Sequence, residues 1–222
     1  MNTQHRRVYD ALRRAGQFTT RHASLLGRAG MPAARRRLDD SVRAIARWTF
    51  LWWIMDVLDG TLRARIHQVR HDLRIGPMRL VVTAARARLR DQVELGALRV
   101  PKRHATCGEF ILAANLFADV FTRHQEAFEA AGLASETGAT LRDGADAIAR
   151  DVAKRAKARA SGAYWQRKID ERVRTARGDL AIMEAEIRPA LARNRWLARA
   201  WRETKGGTGP VRSECVRRPW AG

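Results

Sequence analysis

The chain has 222 residues, of which 45% are hydrophobic and 30% are charged, and this balance indicates a globular protein and excludes a disordered one. Its 43 basic and 23 acidic residues give a net charge of +20, and arginine far outnumbers lysine. The longest uncharged apolar run, Trp48 to Met55, has eight residues, so we predict no transmembrane segment, because a spanning helix needs about 20.

Helix-forming residues dominate the composition, and they predict an all-α fold. Ala, Leu and Arg are abundant, whereas runs of β-branched residues are scarce. We expect an antiparallel bundle of four to five long helices with short terminal helices, forming one domain over residues 1–204. Residues 205–222 are rich in Gly, Pro and Arg without a hydrophobic period, which predicts a disordered basic tail.

The first predicted helices cover the N-terminal third of the chain. Apolar positions recur every three or four residues over about residues 4–26, and His22 lies on that stripe as an expected half-buried structural histidine. A second helix is predicted from about Ala33, and the turn signal Asp59-Gly60 is expected to break it. Gly76-Pro77 is expected to kink the helix that follows.

Three tryptophans, Trp48, Trp52 and Trp53, lie within the apolar run. One interpretation is a buried helix end. A second is an exposed patch that docks a protein partner or a membrane surface. A third is an atypical segment, because the run is out of character with the Ala-rich and Arg-rich background.

Two histidines, His67 and His71, are one helical turn apart, as in many metal-binding pairs. The zinc-protease motif H-E-x-x-H is absent, because Gln68 stands where that motif has its catalytic glutamate. Three neighbouring arginines oppose a cation: Arg65, Arg70 and Arg74. We therefore predict neither a metal site nor a cofactor.

The stretch Thr106–Ala131 is predicted to be the central helix. Thr106 and Glu109 have the spacing of a capping box, and Gly132 is a suitable residue to end the helix. Four aromatic residues fall on one line of this helix within roughly 40° of arc: Phe110, Phe117, Phe121 and Phe128. Further apolar residues widen the surface to more than one side, so neighbours are expected on several faces: Ile111, Leu112, Leu116 and Val120.

The C-terminal part predicts two helical stripes that are nearly in phase. A break near Gly162 is favoured over one helix of about fifty residues, because helices usually have about 11–12. Pro189 is expected to end this segment, and residues 196–201 predict a short last helix. Tyr164 and Trp165 stand beside basic residues, as in proteins that bind single strands. Because Trp165 continues the stripe, a core position is the preferred interpretation.

The basic residues offer a candidate nucleic-acid surface that rests on charge alone. The candidate contacts are Arg63, Arg65, Arg70, Arg74, Lys154, Arg155, Lys157 and Arg159. If the arginines of residues 61–105 and 142–177 line one face, nucleic-acid binding gains support. If they scatter or pair with carboxylates, a structural role gains support.

Several short segments of the chain, taken in order, carry a resemblance to known proteins: Met78-Arg79, Ala84 to Leu89, Leu98 with Pro101, Glu126 with Phe128, Ala131-Gly132-Leu133, Leu141-Arg142, Ile187-Arg188-Pro189 with Leu191, and Trp201. This order resembles an uncharacterised family of all-helical proteins from bacteria with GC-rich genomes. The resemblance implies an all-helical bacterial protein and no particular activity. The run Trp48 to Met55 and the residues after Lys205 depart from the pattern.

Taken together, the sequence favours a non-catalytic structural or protein-interaction module whose partner is an unidentified protein or a second copy. The alternative is a non-specific nucleic-acid-binding protein with an Arg-rich surface. We found no nucleophile elbow and no phosphate-binding glycine loop, so no catalytic residue is predicted. The chain has two cysteines in dissimilar contexts and no visible secretory signal, which predicts a reducing compartment, the cytoplasm.

Overall fold

The computed structural model describes residues 3–26, 31–88 and 98–205 of the chain. Within those ranges the chain forms helices and no strand, so the predicted all-α helical bundle is confirmed. The helices are α1 (Thr3–Arg21), α2 (Ala23–Leu26), α3 (Met31–Ile75), α4 (Pro77–Arg88), α5 (Cys107–Arg123), α6 (Gln125–Ala130), α7 (Thr137–Arg193) and α8 (Arg195–Lys205).

The chain divides into two compact units whose boundaries fall inside α3 and α7. Unit 1 consists of Met1–Trp53 and Ala163–Gly222, and unit 2 of Ile54–Gly162. The single domain predicted over residues 1–204 stays a prediction. The predicted disordered tail lies outside the described residues, except for Lys205, which ends α8.

The aligned phenylalanines form the centre of unit 2. All four are at most 1% exposed, as the sequence predicted: Phe110, Phe117, Phe121 and Phe128. The rings of the last two stack with centroids 5.3 Å apart. Ile66 and Leu73 of α3, Val81 of α4, and Leu141 and Ile148 of α7 complete this core. The core of unit 1 contains none of the four rings, so they organise unit 2 alone.

Two details of the predicted central helix are wrong. The helix ends at Arg123, and α6 begins at Gln125 after His124, whose backbone leaves the helical region with φ −119° and ψ 30°. Leu112 is 71% exposed and Leu116 42% exposed. The helix therefore buries one broad face instead of several, because no neighbouring element of the described chain covers the side that carries these leucines.

The predicted breaks in the two longest helices are also wrong. α3 has 45 residues and continues through Asp59-Gly60, where the Asp59 carboxylate accepts hydrogen bonds from α7 and does not form a turn. α7 has 57 residues and continues through Gly162, and Pro189 lies inside it, four residues before its end. Its first apolar stripe packs in the core of unit 2 and its second in the core of unit 1, and packing of this kind outweighs the weak breaking tendency of one glycine.

The helix predicted over about residues 4–26 is divided at His22 into α1 and α2, whereas the predictions for the joint at Gly76-Pro77, for His22 and for the last helix are confirmed. α3 ends before Gly76, and α4 starts at Pro77, a residue suited to the first helical position. His22 is half-buried, with its ring 4.7 Å from Phe18 and 5.2 Å from Trp196. The last helix, α8, buries Leu197 and Trp201.

Within each unit α3 and α7 are antiparallel. In unit 2, Leu73 of α3 lies opposite Gly144 of α7. Arg65 lies opposite Asp151, and Asp59 opposite Arg155, so the residue numbers fall along α3 as they rise along α7. In unit 1, Ser41 donates to Asp179 at 3.3 Å, and Arg37 lies 3.9 Å from Glu186. The core of unit 1 adds Leu12 and Phe18 of α1 and Trp201 of α8 to these helices.

The close approach of α3 and α7 in unit 2 depends on a glycine. A Cβ atom on Gly144 would lie 2.5 Å from a methyl group of Leu73, which is only 5% exposed. We expect Gly144→Ala to lower the free energy of unfolding by about 1–3 kcal/mol, measured in urea, because the buried leucine has little room to move.

The matched control is Gly178→Ala on the same helix, where an added Cβ meets nothing within 4 Å. That substitution should be neutral or stabilise the protein by up to about 1 kcal/mol through helix propensity. If the two variants are equally stable, the close contact between Leu73 and Gly144 is wrong.

Candidate functional site

A cavity of about 390 Å³ opens in unit 2 beside α3 and the start of α5. We call it the basic cavity. It is lined by His67, Gln68, Arg70, His71, Arg74, Lys102, Arg103 and Phe110. Four of these side chains are cationic, two are imidazoles and none is a carboxylate, so the electrostatic potential in the cavity is positive and favours an anion.

The helical period of α3 places the cationic residues together. Ile66 and Leu73 are buried in the core of unit 2, and this fixes the rotation of the helix. Arg63, His67, Arg70 and Arg74 then follow at steps of four, three and four on an adjacent face, within roughly 60° of arc. At 1.5 Å per residue, this basic stripe extends about 16 Å along the helix.

Arg70 is held in place by three contacts. Its Nη2 donates to the carbonyl oxygen of Ala105 at 2.5 Å, and its Nη1 lies 3.9 Å from the Sγ of Cys107. Its guanidinium carbon also lies 5.1 Å from the centroid of the Phe110 ring. Arg70 is half-buried, so it presents a pre-organised donor group to the cavity and needs little ordering when a ligand binds.

The segment that carries Lys102 and Arg103 is positioned by the start of α5. The predicted capping box is present: Thr106 Oγ1 accepts from the Glu109 N–H at 3.2 Å, and Glu109 Oε2 accepts from the Thr106 N–H at 2.6 Å. The hydrogen bond from the Thr106 backbone lowers the pKa of Glu109 most, followed by that from the Thr106 hydroxyl, while His104 adds a small electrostatic effect.

The cations of the cavity are not neutralised by described carboxylates. Arg74, Lys102 and Arg103 have no ion pair within the described ranges. The nearby Asp72 accepts from the side chain of Gln68 at 2.9 Å. His67 and His71 line the same cavity, and among the described residues no three His, Cys, Asp or Glu side chains gather in a way that could hold a metal ion. The arrangement is suited to binding an anionic group.

The candidate nucleic-acid contacts fall into two groups, those without a described carboxylate partner and those that form ion pairs. Arg70 and Arg74 line the basic cavity, and Arg63, Lys154 and Lys157 are exposed. The others pair with acidic residues: Arg65 with Asp151 at 3.2 Å, and Arg155 and Arg159 with Asp59 at 2.8 and 3.0 Å. The hydrogen bond from Arg155 is the largest cause of the lowered pKa of Asp59.

Sequence reasoning missed Lys102 and Arg103. They lie in a connection without hydrophobic period, and their role depends on where α5 places that connection. The signal that could have found them is a pair of basic residues shortly before a capping box, since the box fixes the segment in front of a helix.

The tryptophan patch is only partly exposed. Trp48 and Trp52 are half-buried and pack against the core of unit 1. Trp53 is 46% exposed, and its ring stacks at 6.0 Å on Phe50, which is 54% exposed. Phe50 and Trp53 therefore form a stacked, exposed aromatic pair in unit 1.

Comparison with protein-family models, with curated proteins and with solved structures finds no match for this chain. The resemblance to helical proteins of GC-rich bacteria therefore stays a prediction. No helix in the described ranges combines the length and the apolar content that spanning a lipid bilayer requires. The functional conclusions below are drawn from the geometry of the two units.

The capping box predicts a pH dependence of stability. The pKa of Glu109 is lowered from 4.5 in the folded chain, so the ionised carboxylate stabilises the fold above that pH, and this contribution is lost as the pH falls through the lowered value. We expect Glu109→Gln to be less stable than the wild type at pH 7, with a difference that shrinks below pH 4.5. The measurement is urea unfolding over a pH series.

Thr106→Ala provides the control, because it removes the cap at every pH and should cost about 1 kcal/mol. In that background Glu109→Gln should still lower stability at pH 7, although by less, because the backbone N–H of residue 106 remains and only the hydroxyl partner is gone. A difference between wild type and Glu109→Gln that stays constant from neutral to acidic pH would contradict the assigned pKa shift.

Proposed function

We propose that the protein is a non-catalytic module that binds nucleic acid through the phosphate backbone. One observation carries the proposal: the basic cavity brings four cations and two histidines together with no carboxylate in its lining. We further propose that the protein acts in the cytoplasm, as its cysteine usage predicts. We prefer this nucleic-acid-binding function, the alternative that the sequence offered, to the structural module.

The chemistry of the lining supports a phosphate ligand. An arginine guanidinium offers donors in a planar fork that matches two phosphate oxygens, and a lysine adds a compact charge. Arg70 is already oriented by Ala105 and Phe110, while Lys102 and Arg103 are exposed and able to adjust to a ligand.

The length of the basic stripe supports a polymer over a single phosphate group. From Arg63 to Arg74 the stripe extends about 16 Å along α3, whereas successive phosphates of one strand in a duplex are about 3.4 Å apart along the axis. Several phosphates therefore fit along the stripe. Contacts of this kind carry no sequence information, so we propose binding that is insensitive to sequence and sensitive to salt.

The ion-paired arginines limit the size of the proposed surface. Arg155 and Arg159 both point to Asp59, and Arg65 to Asp151, so these three have a structural role in joining α3 to α7 within unit 2. The proposed contacts are the cations of the basic stripe and the basic cavity that have no carboxylate partner: Arg63, Arg70, Arg74, Lys102 and Arg103. Lys154 and Lys157 are exposed on α7 but do not line the cavity. Arg70 contacts a carbonyl oxygen and an aromatic ring and no described carboxylate, so its charge is not neutralised.

The double variant Lys102→Gln/Arg103→Gln tests this proposal. Both side chains are exposed, so the fold should be retained. We expect affinity for a labelled oligonucleotide at about 0.1 M salt to fall roughly 10- to 100-fold, and the slope of log K against log salt to fall by about 2, one per lost phosphate contact. Fluorescence anisotropy over a salt series measures both.

The matched control removes the same charge elsewhere. Arg43→Gln/Arg199→Gln changes two exposed arginines that are paired with Asp40 and Glu203 on their own helices. It should leave the affinity and the slope nearly unchanged. If both double variants lose the same affinity for the oligonucleotide, net charge alone causes the binding, and the proposed role of the cavity is wrong.

A second candidate function is protein interaction, and the stacked pair Phe50 and Trp53 favours it. Large exposed aromatic residues are enriched where proteins dock. Both lie on α3 in unit 1, with centroids 6.0 Å apart and planes inclined by only 26°. The partner consistent with the sequence-based expectation is a second copy of the chain or another protein.

Trp53→Ser tests the interaction through self-association. If the pair is a self-association surface, the variant should weaken the dimer roughly 30-fold or more, as loss of a central aromatic contact does. Sedimentation velocity over a concentration series measures the effect. Trp196→Ser is the control, because Trp196 is 60% exposed on a different helix. A wild-type protein that stays monomeric at every concentration would exclude self-association through this pair.

A further inference from the structure

A second cavity, of about 270 Å³, lies in unit 1 between α3 and α7. We call it the aromatic cavity. Three of its lining residues have large rings: Trp48 from α3, and Tyr164 and Trp165 from α7. The remaining lining residues are polar and follow along α7. The cavity is smaller than the usual 300–1,000 Å³ of sites for drug-sized ligands, so its size suits one planar ring system.

The aromatic side chains of the cavity present ring surface against which a further ring can pack. Tyr164 and Trp165 are T-shaped, with centroids 4.9 Å apart and planes at 74°. Tyr164 is 45% exposed, whereas Trp48 and Trp165 are half-buried. The core position that the sequence favoured for Trp165 is wrong, because this ring is half-buried, lines the cavity and is not part of the core of unit 1.

The polar residues of the cavity provide hydrogen-bond donors and a cation. The Arg172 side chain lines the cavity, and its Nε is buried and has no hydrogen-bond acceptor among the described residues. The Nζ of Lys168 lies 5.9 Å from the Tyr164 ring centroid. Glu171 accepts from this Lys168 ammonium at 3.2 Å, so it neutralises part of that charge.

We infer that the aromatic cavity binds one unpaired nucleobase of a single-stranded nucleic acid. The rings offer stacking surface, the Arg172 guanidinium offers donors for a carbonyl or ring nitrogen of the base, and Lys168 lies beside the rings for the adjoining phosphate. Stacking on aromatic side chains tolerates every base, because every base has a π face. A paired base has its faces covered by its neighbours, so a duplex cannot enter.

This inference rests on the proposed nucleic-acid binding and adds a preference for single strands to it. It also gives a function to the one aromatic and basic motif of the sequence, Tyr164-Trp165-Gln166-Arg167-Lys168. Within that motif the helical period separates the roles. Tyr164, Trp165 and Lys168 line the cavity, whereas Gln166 donates to Asp170 at 3.2 Å.

The experiment uses the full chain and compares Tyr164→Ala with Tyr164→Phe, which keeps the ring. The probes are an unstructured single strand of about 12 nucleotides, a duplex of the same length, and inorganic polyphosphate of similar charge, which has no bases. We expect Tyr164→Ala to weaken single-strand binding roughly fivefold or more and to leave the duplex, the polyphosphate and the salt slope unchanged. Tyr164→Phe should bind the single strand like the wild type.

The outcomes separate this inference from the proposed function. If Tyr164→Ala leaves single-strand affinity unchanged, or weakens all three probes equally, the stacking site is wrong. If Lys102→Gln/Arg103→Gln lowers the affinity for all three probes in that case, the proposed phosphate contacts are supported and only the stacking site is wrong. If the wild type binds none of the probes at low salt, both proposals fail. Arg172→Lys keeps the charge but removes the planar guanidinium donors, and it should weaken binding of the single strand alone.

Discussion

Burial of the apolar stripe of α3 in unit 2 is the constraint on which the candidate site depends. Ile66 and Leu73 lie in the phenylalanine core, and the helical period then leaves no freedom in where the intervening basic residues point. The contact of Leu73 with Gly144 brings α7 close along the same helix. The basic stripe from Arg63 to Arg74 is thus a geometric consequence of hydrophobic packing on the neighbouring face.

The acidic residues decide which arginines remain available for a ligand. Asp59 and Asp151 lie where α3 meets α7 in unit 2, and they bind Arg155, Arg159 and Arg65. Asp151 is only 2% exposed, and a buried carboxylate needs a cationic partner. The arginines near the start of α5 meet no such carboxylate among the described residues, so their charge faces the basic cavity. The arginines are therefore divided by position into a set that joins α3 to α7 within unit 2 and a set without a carboxylate partner, which includes the proposed phosphate contacts.

The two cavities offer different chemistry. The basic cavity of unit 2 presents charge and one aromatic residue, Phe110, which is 1% exposed and already covered by Arg70, so phosphate is the group that it suits. The aromatic cavity of unit 1 presents ring surface and a buried guanidinium donor without an acceptor, so a planar base is the group that it suits. Proteins that bind single strands combine both kinds of contact.

The sequence by itself determined the helical class, the capping box at Thr106, the burial of the four phenylalanines and the joint at Gly76-Pro77. Each of these follows from residues within a few turns of one another, where helical period and capping chemistry act directly. The tertiary structure decided the rest. From the sequence, Asp59-Gly60 predicts a break in α3 and Gly162 a break in α7. Packing and ion pairs between these helices keep both continuous. Lys102 and Arg103 become part of a site only because α5 places them beside α3. Spacing along one helix cannot reveal such neighbours, because the contacts that create them join residues far apart in the chain.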